Sequence, residues 1–242
     1  MHIAILTPLH NGVEFLTECV MSVLDQTYTS WEMWIGVNGH PGGEAKEVFS
    51  LAFSLASLDS HRRIRVVAQP PSVRGKAASL NHLVGQLDLA TEWVALLDCD
   101  DVWHPQKLEK QVAALGGVAQ GATVVGTMCE YFGDMLGVPN IPTGWINSHW
   151  LADMNPIINS SVLLKREACV WAVEHPSWEG GYTPLEDYEL WMRVVLGGGR
   201  MFNIPERLTR HRIHGGSAFN SRGHAPAPLQ AWFRGAIAAS KN

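Results

Sequence analysis

No uninterrupted apolar run among the 242 residues approaches the roughly 20 needed for a bilayer-spanning helix. The opening "HIAIL" is short, lacks a basic leader and stops at Thr7-Pro8, so no cleaved export signal is expected. Cysteine is scarce. Cys19, Cys99, Cys129 and Cys169 form no C-x-x-C pair and each lies in an apolar segment, as buried free thiols do. That argues against a disulfide framework and points to a reducing, cytoplasmic compartment. Positive charge is not in excess either: 18 Lys and Arg face 23 Asp and Glu, a net −5, and nothing in these totals favours a nucleic-acid partner. The exception is local. From Arg200 onward, Arg207, Arg210, Arg212, Arg222, Arg234 and Lys241 meet the single acid Glu206, a balance suited to phosphates or an anionic surface. Internal repeats and low-complexity tracts are absent as well.

What is present is enough apolar residue, 46%, to bury a full core. The first hundred residues alternate between periods of two and 3.6, the mark of βαβ units and a mainly parallel sheet. "IAIL" reads as a strand, a helix follows through Phe15–Leu24, and "WEMWIGV" reads as a second strand. A helix carrying Val48 to Leu55, strand "IRVVA", a helix carrying Ala77 to Leu87 and strand "EWVALLD" complete the series. Pro105 then fits the first turn of a helix. Beyond it, "ATVVGTMCEYF" reads as a strand, Gly133–Pro156 as a loop region, "NSSVLLK" as a strand, Glu186–Leu196 as a helix, and "RMFNIPERLTRHRI" as short terminal strands. A final amphipathic helix presents Leu229, Trp232, Phe233 and Ile237, to be covered by the protein's own body or a twin chain, with peripheral membrane contact as the alternative.

The strand "VALLD" runs directly into Asp98, Asp100 and Asp101. Carboxylates so closely spaced repel one another unless solvent or a cation compensates them. On its own the cluster fits a helix cap in a wet turn, a metal site, or the D-x-D-x-[TV] strand end of dehalogenase-type phosphatases, which "DCDDV" formally satisfies. An EF-hand loop is poorly supported, since glycine is missing at the sixth position and glutamate at the twelfth. Phosphatase chemistry wants its aspartyl nucleophile near the chain start and a later acidic pair, whereas this motif comes fourth in the sheet. Asp98 stands at the carboxyl end of a strand, where open α/β sheets bind ligands.

The ordered set "ILTPLHNGVEFLTECVMSVLDQTYTSWEMWIGVNG", "RGKAASLN", "VALLDCDD", "INSSVLLKRE", "LEDYELWMR" and "RIHGGS", spread over about Ile3–Ser217, resembles glycosyltransferase family 2. Those are inverting nucleotide-sugar transferases of GT-A fold. The resemblance implies an α/β fold of GT-A type with a mainly parallel central sheet flanked by helices and a small antiparallel extension in the acceptor half. It implies one catalytic unit: a nucleotide-binding half to about residue 102, an acceptor half over about 103–227, and the C-terminal helix from 228. The donor would be a nucleotide-diphosphate sugar, UDP first with GDP or dTDP as alternatives. The acceptor would be a saccharide, glycolipid or glycoprotein, and Mn²⁺ or Mg²⁺ the cofactor.

Carried over residue by residue, the resemblance gives Asp98 the ribose and Asp100 the metal, with Cys99 turned into the core and Asp101 supporting or capping the Pro105 helix. Thr7, Pro8 and Asn38 fall where the family meets the nucleotide base. Asn38 stands where the family usually has acids, so it can hydrogen-bond but carries no charge. Arg74 and Asn81 are expected at the phosphate and base, ahead of Lys76. Glu186-Asp187 would deliver the catalytic base, usually the second member. Acids in a first helical turn are also plain dipole caps. Arg212, His214 and Ser217 match R-x-H-x-x-S near the diphosphate, with His214 as a metal or phosphate ligand and His211 as a sheet-edge histidine satisfied by backbone. Of ten tryptophans, Trp178 is the candidate acceptor platform and Trp191 a core residue. A catalytically inactive sugar-nucleotide module is the non-enzyme alternative.

Overall fold

The computed structural model describes residues 1–38, 44–173, 185–216 and 226–239. Trp178 and Ser217 lie outside them. Among the described residues nine strands join one sheet: β1 (Ile3–Leu9), β2 (Trp31–Val37), β3 (Ile64–Ala68), β4 (Trp93–Leu96), β5 (Val102–Trp103), β6 (Val124–Gly133), β7 (Gly144–Ile146), β8 (Leu163–Lys165) and β9 (Met201–Ile213). Their order is β3-β2-β1-β4-β8-β6-β9-β5, with β7 added beside β9. The first four positions are parallel, and β6 and β9 are parallel to each other. Only β5, β7 and β8 run antiparallel to their neighbours, so the expected mainly parallel GT-A-type sheet with an antiparallel extension is the one observed.

Successive residues of β1 go to opposite faces, as a strand's period of two requires. Ile3 and Ile5 join a core with Leu16, Cys19, Val20 and Val23 of α1 (Leu16–Leu24) and with Val48, Ala52 and Leu55 of α2 (Glu44–Ala56). Ala4 and Leu6 face the other core, with Ala77, Leu80 and Leu83 of α3 (Gly75–Val84) and Trp191 of α6 (Glu186–Leu196). A sheet buried on both faces needs apolar residues at every position, which is why "IAIL" has no polar alternation. The chain leaves β1 toward β2 and β3, then returns to β4 on β1's other side. That reversal opens a crevice at the carboxyl ends of β1 and β4, where Thr7 and Asp98 stand.

Two expectations need correction. Gly133–Pro156 is not only loop: it contains β7 and α5 (Ser148–Asp153), whose Asn147 side chain accepts from the backbone N–H groups of His149 and Trp150 at 3.0 and 3.4 Å. Elements of three and six residues are too short to show a period. The terminal stretch is one strand of 13 residues rather than several. It survives Pro205 because the register with β6 slips there, from Thr127 opposite Ile204 to Met128 opposite Arg207, and a bulge tolerates the missing N–H. The last helix, α7 (Ala227–Ala239), buries Leu229 and Phe233 in the core that holds Trp171 and Trp191, with Trp232 and Ile237 packed against it. The chain's own body covers this stripe.

Candidate active site

The backbone N–H of Asp98 donates to Ser160 Oγ at 3.0 Å, which fixes the end of the β4 segment. Its carboxylate accepts from Lys76 Nζ at 2.7 Å and from Asn159 Nδ2 at 3.2 Å. Burial raises the Asp98 carboxyl, but the Lys76 charge and these hydrogen bonds outweigh it and hold the group below the ordinary carboxylate range. Lys76 is likewise held charged: burial disfavours its ammonium, and Asp98, Glu186 and Asp187 overcome that. It lies in the first turn of α3, just after Arg74, which is extended and exposed at the N-cap.

Two residues on, the carboxyl of Asp100 is pushed up to about 6 by burial and by the charges of Asp101 and Asp98. Its Oδ2 lies 3.0 Å from Nε2 of His214, just beyond the end of β9. Asp101 is fully buried. Contrary to expectation it does not cap the helix α4 (Lys107–Leu115), whose N-cap is Gln106. Instead its oxygens meet His211 Nδ1 at 3.0 and 3.1 Å and accept from the Arg212 backbone N–H at 2.8 Å. His211 thus has a buried carboxylate as a partner. Arg212 donates from Nε to the Asp100 carbonyl at 2.9 Å, pairs with Glu18, and lies over the rings of Phe15 and Phe132 at 4.4 and 4.2 Å. Cys99 turns inward, its thiol donating to the Asn11 carbonyl at 3.1 Å.

A cavity of about 490 Å³ joins these groups. One wall is charged: Lys76, Asp98, Glu186, Asp187 and His211. Another is apolar and includes Ile141, Met154, Ile157 and Leu185. Glu186 and Asp187 open α6, where the positive end of the helix favours anions. Asp187 accepts from Tyr188 N–H at 2.7 Å and from Asn155 Nδ2 at 3.0 Å. Burial raises its pKa, and Lys76 with these two donors moderates the rise. Glu186 is 5% exposed, its Oε2 has no hydrogen-bond partner in the described structure, and burial lifts its carboxyl to about 7.

An acid raised from 4.5 to about 7 on folding stabilises the native state most below pH 4.5, and that contribution is lost as pH climbs to about 7. Glu186→Gln should flatten this fall by roughly 1 kcal/mol or more, read as the difference in unfolding free energy between pH 5 and pH 8. Identical pH profiles for the two proteins would show that Glu186 ionises normally.

Thr7 and Pro8 lie near the carboxyl end of β1, and Asn38 just beyond that of β2. Among the described residues the buried Thr7 Oγ1 has no hydrogen-bond partner. Asn81, expected at the phosphate and base, pairs with backbone in this structure. Its Nδ2 donates to the Trp171 carbonyl at 2.7 Å and its Oδ1 accepts from the Trp171 N–H at 2.9 Å, so both ends of the amide are used to fasten the Trp171 backbone. Lys76, placed behind Asn81 on sequence grounds, is the one in the cavity. Sequence reasoning also passed over Asn155 and Asn159, whose only sign was an amide beside a short apolar run. It missed Asn203 as well. That buried side chain donates to the carbonyls of Pro142 at 2.9 Å and Pro156 at 2.8 Å, tying down both ends of the apolar wall. Gly126 makes this fit: a Cβ there would come within 2.2 Å of Asn203 Oδ1.

The chemistry of the strand end suits a divalent cation. Asp100 and His214 place an oxygen and a nitrogen donor side by side, and the two neighbouring carboxylates Asp101 and Asp98 leave negative charge that raises Asp100. Among the described residues no group of three or more such side chains is assembled, so phosphates and water would complete the shell. Also among the described residues, no helix is long and apolar enough to cross a membrane.

Residues 4–150 match the family described as Glycosyl transferase family 2. An uncharacterised glycosyltransferase of Haemophilus influenzae is 27% identical over 215 residues, 87% of this chain and 74% of that one. The O-antigen biosynthesis glycosyltransferase WbnJ of Escherichia coli is 24% identical over 224 residues, 90% and 82% of the two chains. Among solved structures, S. aureus TarS 1–349 in complex with UDP-GlcNAc superposes with a TM-score of 0.69 at 14% identity, over 93% of this chain and 62% of that one. The mannosyltransferase PcManGT from Pyrobaculum calidifontis, in complex with GDP-Man and Mn²⁺, does so at 0.66 and 14%, over 98% and 69%. At such identity these two likenesses speak for the fold.

Proposed function

Because the chain belongs to glycosyl transferase family 2, a family of sugar-transferring enzymes, we propose that it moves a sugar from a nucleotide-diphosphate sugar to an acceptor hydroxyl with inversion at the anomeric carbon. The observation that carries this is the single cavity wall bearing Asp98, Lys76 and Asp187 at the sheet's switch point. One carboxylate is held ionised by Lys76, and a second waits at a helix N-terminus. The acceptor oxygen bonds to the anomeric carbon as its proton passes to the Asp187 carboxylate. The bond from that carbon to the diphosphate oxygen breaks, and its electron pair leaves on the diphosphate. Asn155 and the Tyr188 N–H hold Asp187 in orientation during this transfer.

Asp98 orients the donor through a ribose hydroxyl, with Thr7, Pro8 and Asn38 at the base and Arg74 at the phosphates. Asp100 and His214 would hold Mn²⁺ or Mg²⁺, which when bound neutralises charge on the diphosphate. Structures that share this fold were solved with UDP-GlcNAc and GDP-Man, which supports a UDP donor first, with GDP or dTDP as alternatives. A saccharide, free or linked to lipid or protein, is the acceptor, received against the apolar wall; Trp178 is proposed as its platform. Thermal-shift measurements with UDP-, GDP- and dTDP-sugars in Mn²⁺ test this. A metal-dependent rise for one nucleotide series is expected. No rise for any, together with release of phosphate from simple esters, would favour a phosphatase instead.

A further inference from the structure

We propose that Asn159, held in a buried turn, is a positioning residue that aims the Asp98 carboxylate at the donor's ribose and so sets a preference for a ribonucleotide over its deoxy forms. This inference rests on the donor assignment above, and within it on Asp98 meeting a ribose hydroxyl. It starts from one short element. The turn Asn159–Ser161 lies between α5 and β8, and all three of its residues are buried. Asn159 lines the cavity with Asp98, Lys76 and Asp187. Its Nδ2 donates to both oxygens of Asp98 at 3.2 Å, so the carboxylate cannot shift sideways without lengthening one of the two contacts. Lys76 meets the same group as a point charge, which attracts with little control of direction. The planar amide supplies the direction.

The next two residues keep Asn159 in place. Ser160 Oγ accepts the Asp98 N–H at 3.0 Å, so one turn grips both the backbone and the side chain of Asp98. The Ser160 carbonyl accepts from Trp103 Nε1 at 2.7 Å, and the Ser161 carbonyl from Gln111 Nε2 at 2.9 Å. Gln111, fully buried in α4, accepts in turn from Lys107 Nζ at 2.9 Å, and that Nζ lies 3.8 Å from the centre of the Trp103 ring. Buried polar networks of this kind rigidify what they hold. The amide itself is asymmetric. Asn159 Oδ1 is buried with no hydrogen-bond partner among the described residues, which costs stability, whereas Asn81 uses both ends of its amide to fasten backbone. The hold of the donor end on Asp98 is what offsets that cost.

The test compares UDP with 2′-deoxy-UDP and 3′-deoxy-UDP, or the same series on whichever base the protein prefers, by titration calorimetry in Mn²⁺. Wild-type protein should favour UDP over at least one deoxy form. Asn159→Ala should lose roughly tenfold in UDP affinity and little in affinity for that deoxy form, so the preference shrinks. Asn159→Ser, a smaller change in volume whose hydroxyl is too short to span both oxygens, should act in the same sense. In an Asp98→Ala background Asn159→Ala should cost no further UDP affinity, because it acts through that carboxylate. Thermal unfolding of each variant guards against misfolding. Equal losses for UDP and both deoxy forms, or an undiminished loss in the Asp98→Ala background, would make Asn159 structural and overturn the inference. Wild-type protein that discriminates, with Asn159→Ala binding UDP equally well, overturns the inference alone. Wild-type protein that binds UDP without discriminating either deoxy form overturns the ribose role of Asp98 and this inference with it. Wild-type protein that binds none of UDP, GDP and dTDP overturns the donor assignment as a whole.

Discussion

Asp100→Ala is expected to abolish the Mn²⁺-dependent part of nucleotide affinity while leaving the ligand-free protein as stable as before, or more so. The second half of that expectation separates a ligand site from a structural one. Asp100 is raised to about 6 because it is buried beside Asp98 and Asp101, so its removal relieves repulsion among like charges. Among the described residues its carboxylate pairs with His214, at 3.0 Å. A cation loses its hard oxygen ligand, and neither remaining acid can substitute: Asp98 is committed to Lys76 and Asn159, and Asp101 to His211 and the Arg212 backbone. Calorimetry with and without Mn²⁺, paired with thermal unfolding, reads both halves. Unchanged metal dependence would move the cation elsewhere.

Asp187→Asn should keep donor affinity and lower turnover by about 10²-fold or more, the usual contribution of a positioned general base. The amide is nearly isosteric. It can still accept the Tyr188 N–H through its oxygen, but it cannot take a proton, so the loss should appear in kcat more than in KM. Asn155→Ala supplies the graded control: it removes one of the two donors that hold the carboxylate without removing the carboxylate. A large loss in Glu186→Gln, with Asp187→Asn near normal, would move the base by one residue. The unpartnered Oε2 of Glu186 in the same wall makes that the outcome to watch.

The first hundred residues were legible because their order is local. Ile3–Leu9, Trp31–Val37 and Ile64–Ala68 announce themselves as apolar or alternating runs, and the helices between them repeat at helical spacing. Asp98 was legible for the same reason, as a charge that interrupts such a run. The region that supplies the apolar wall was not. Its wall is built from a three-residue strand and a six-residue helix, too short for periodicity, and held by Asn203 from 47 to 61 positions away in sequence. A sequence shows that Lys76 and Asn81 belong to one helix, not which side of it meets the cavity. Asp101, expected to support or cap the Pro105 helix, is claimed instead by β9, a strand more than a hundred residues downstream.

That strand has a consequence for any attempt to exchange acceptor specificity between relatives. Asn203 near its start clamps the apolar wall, and His211 and Arg212 near its end engage Asp101 and Asp100. The two regions therefore share one ruler. Grafting residues 134–158 alone would leave the new segment without its fastening, since Asn203 fits only where position 126 lacks a side chain. The exchangeable unit is thus a triad of Gly126, the intervening wall and Asn203. Because the register with β6 slips at Pro205 and again between Arg207 and Thr209, by three residues in all, a donor chain whose strand lacks these extra residues would carry its Asn203 equivalent in phase and its His211 equivalent out of phase, rotated to the opposite side of the sheet.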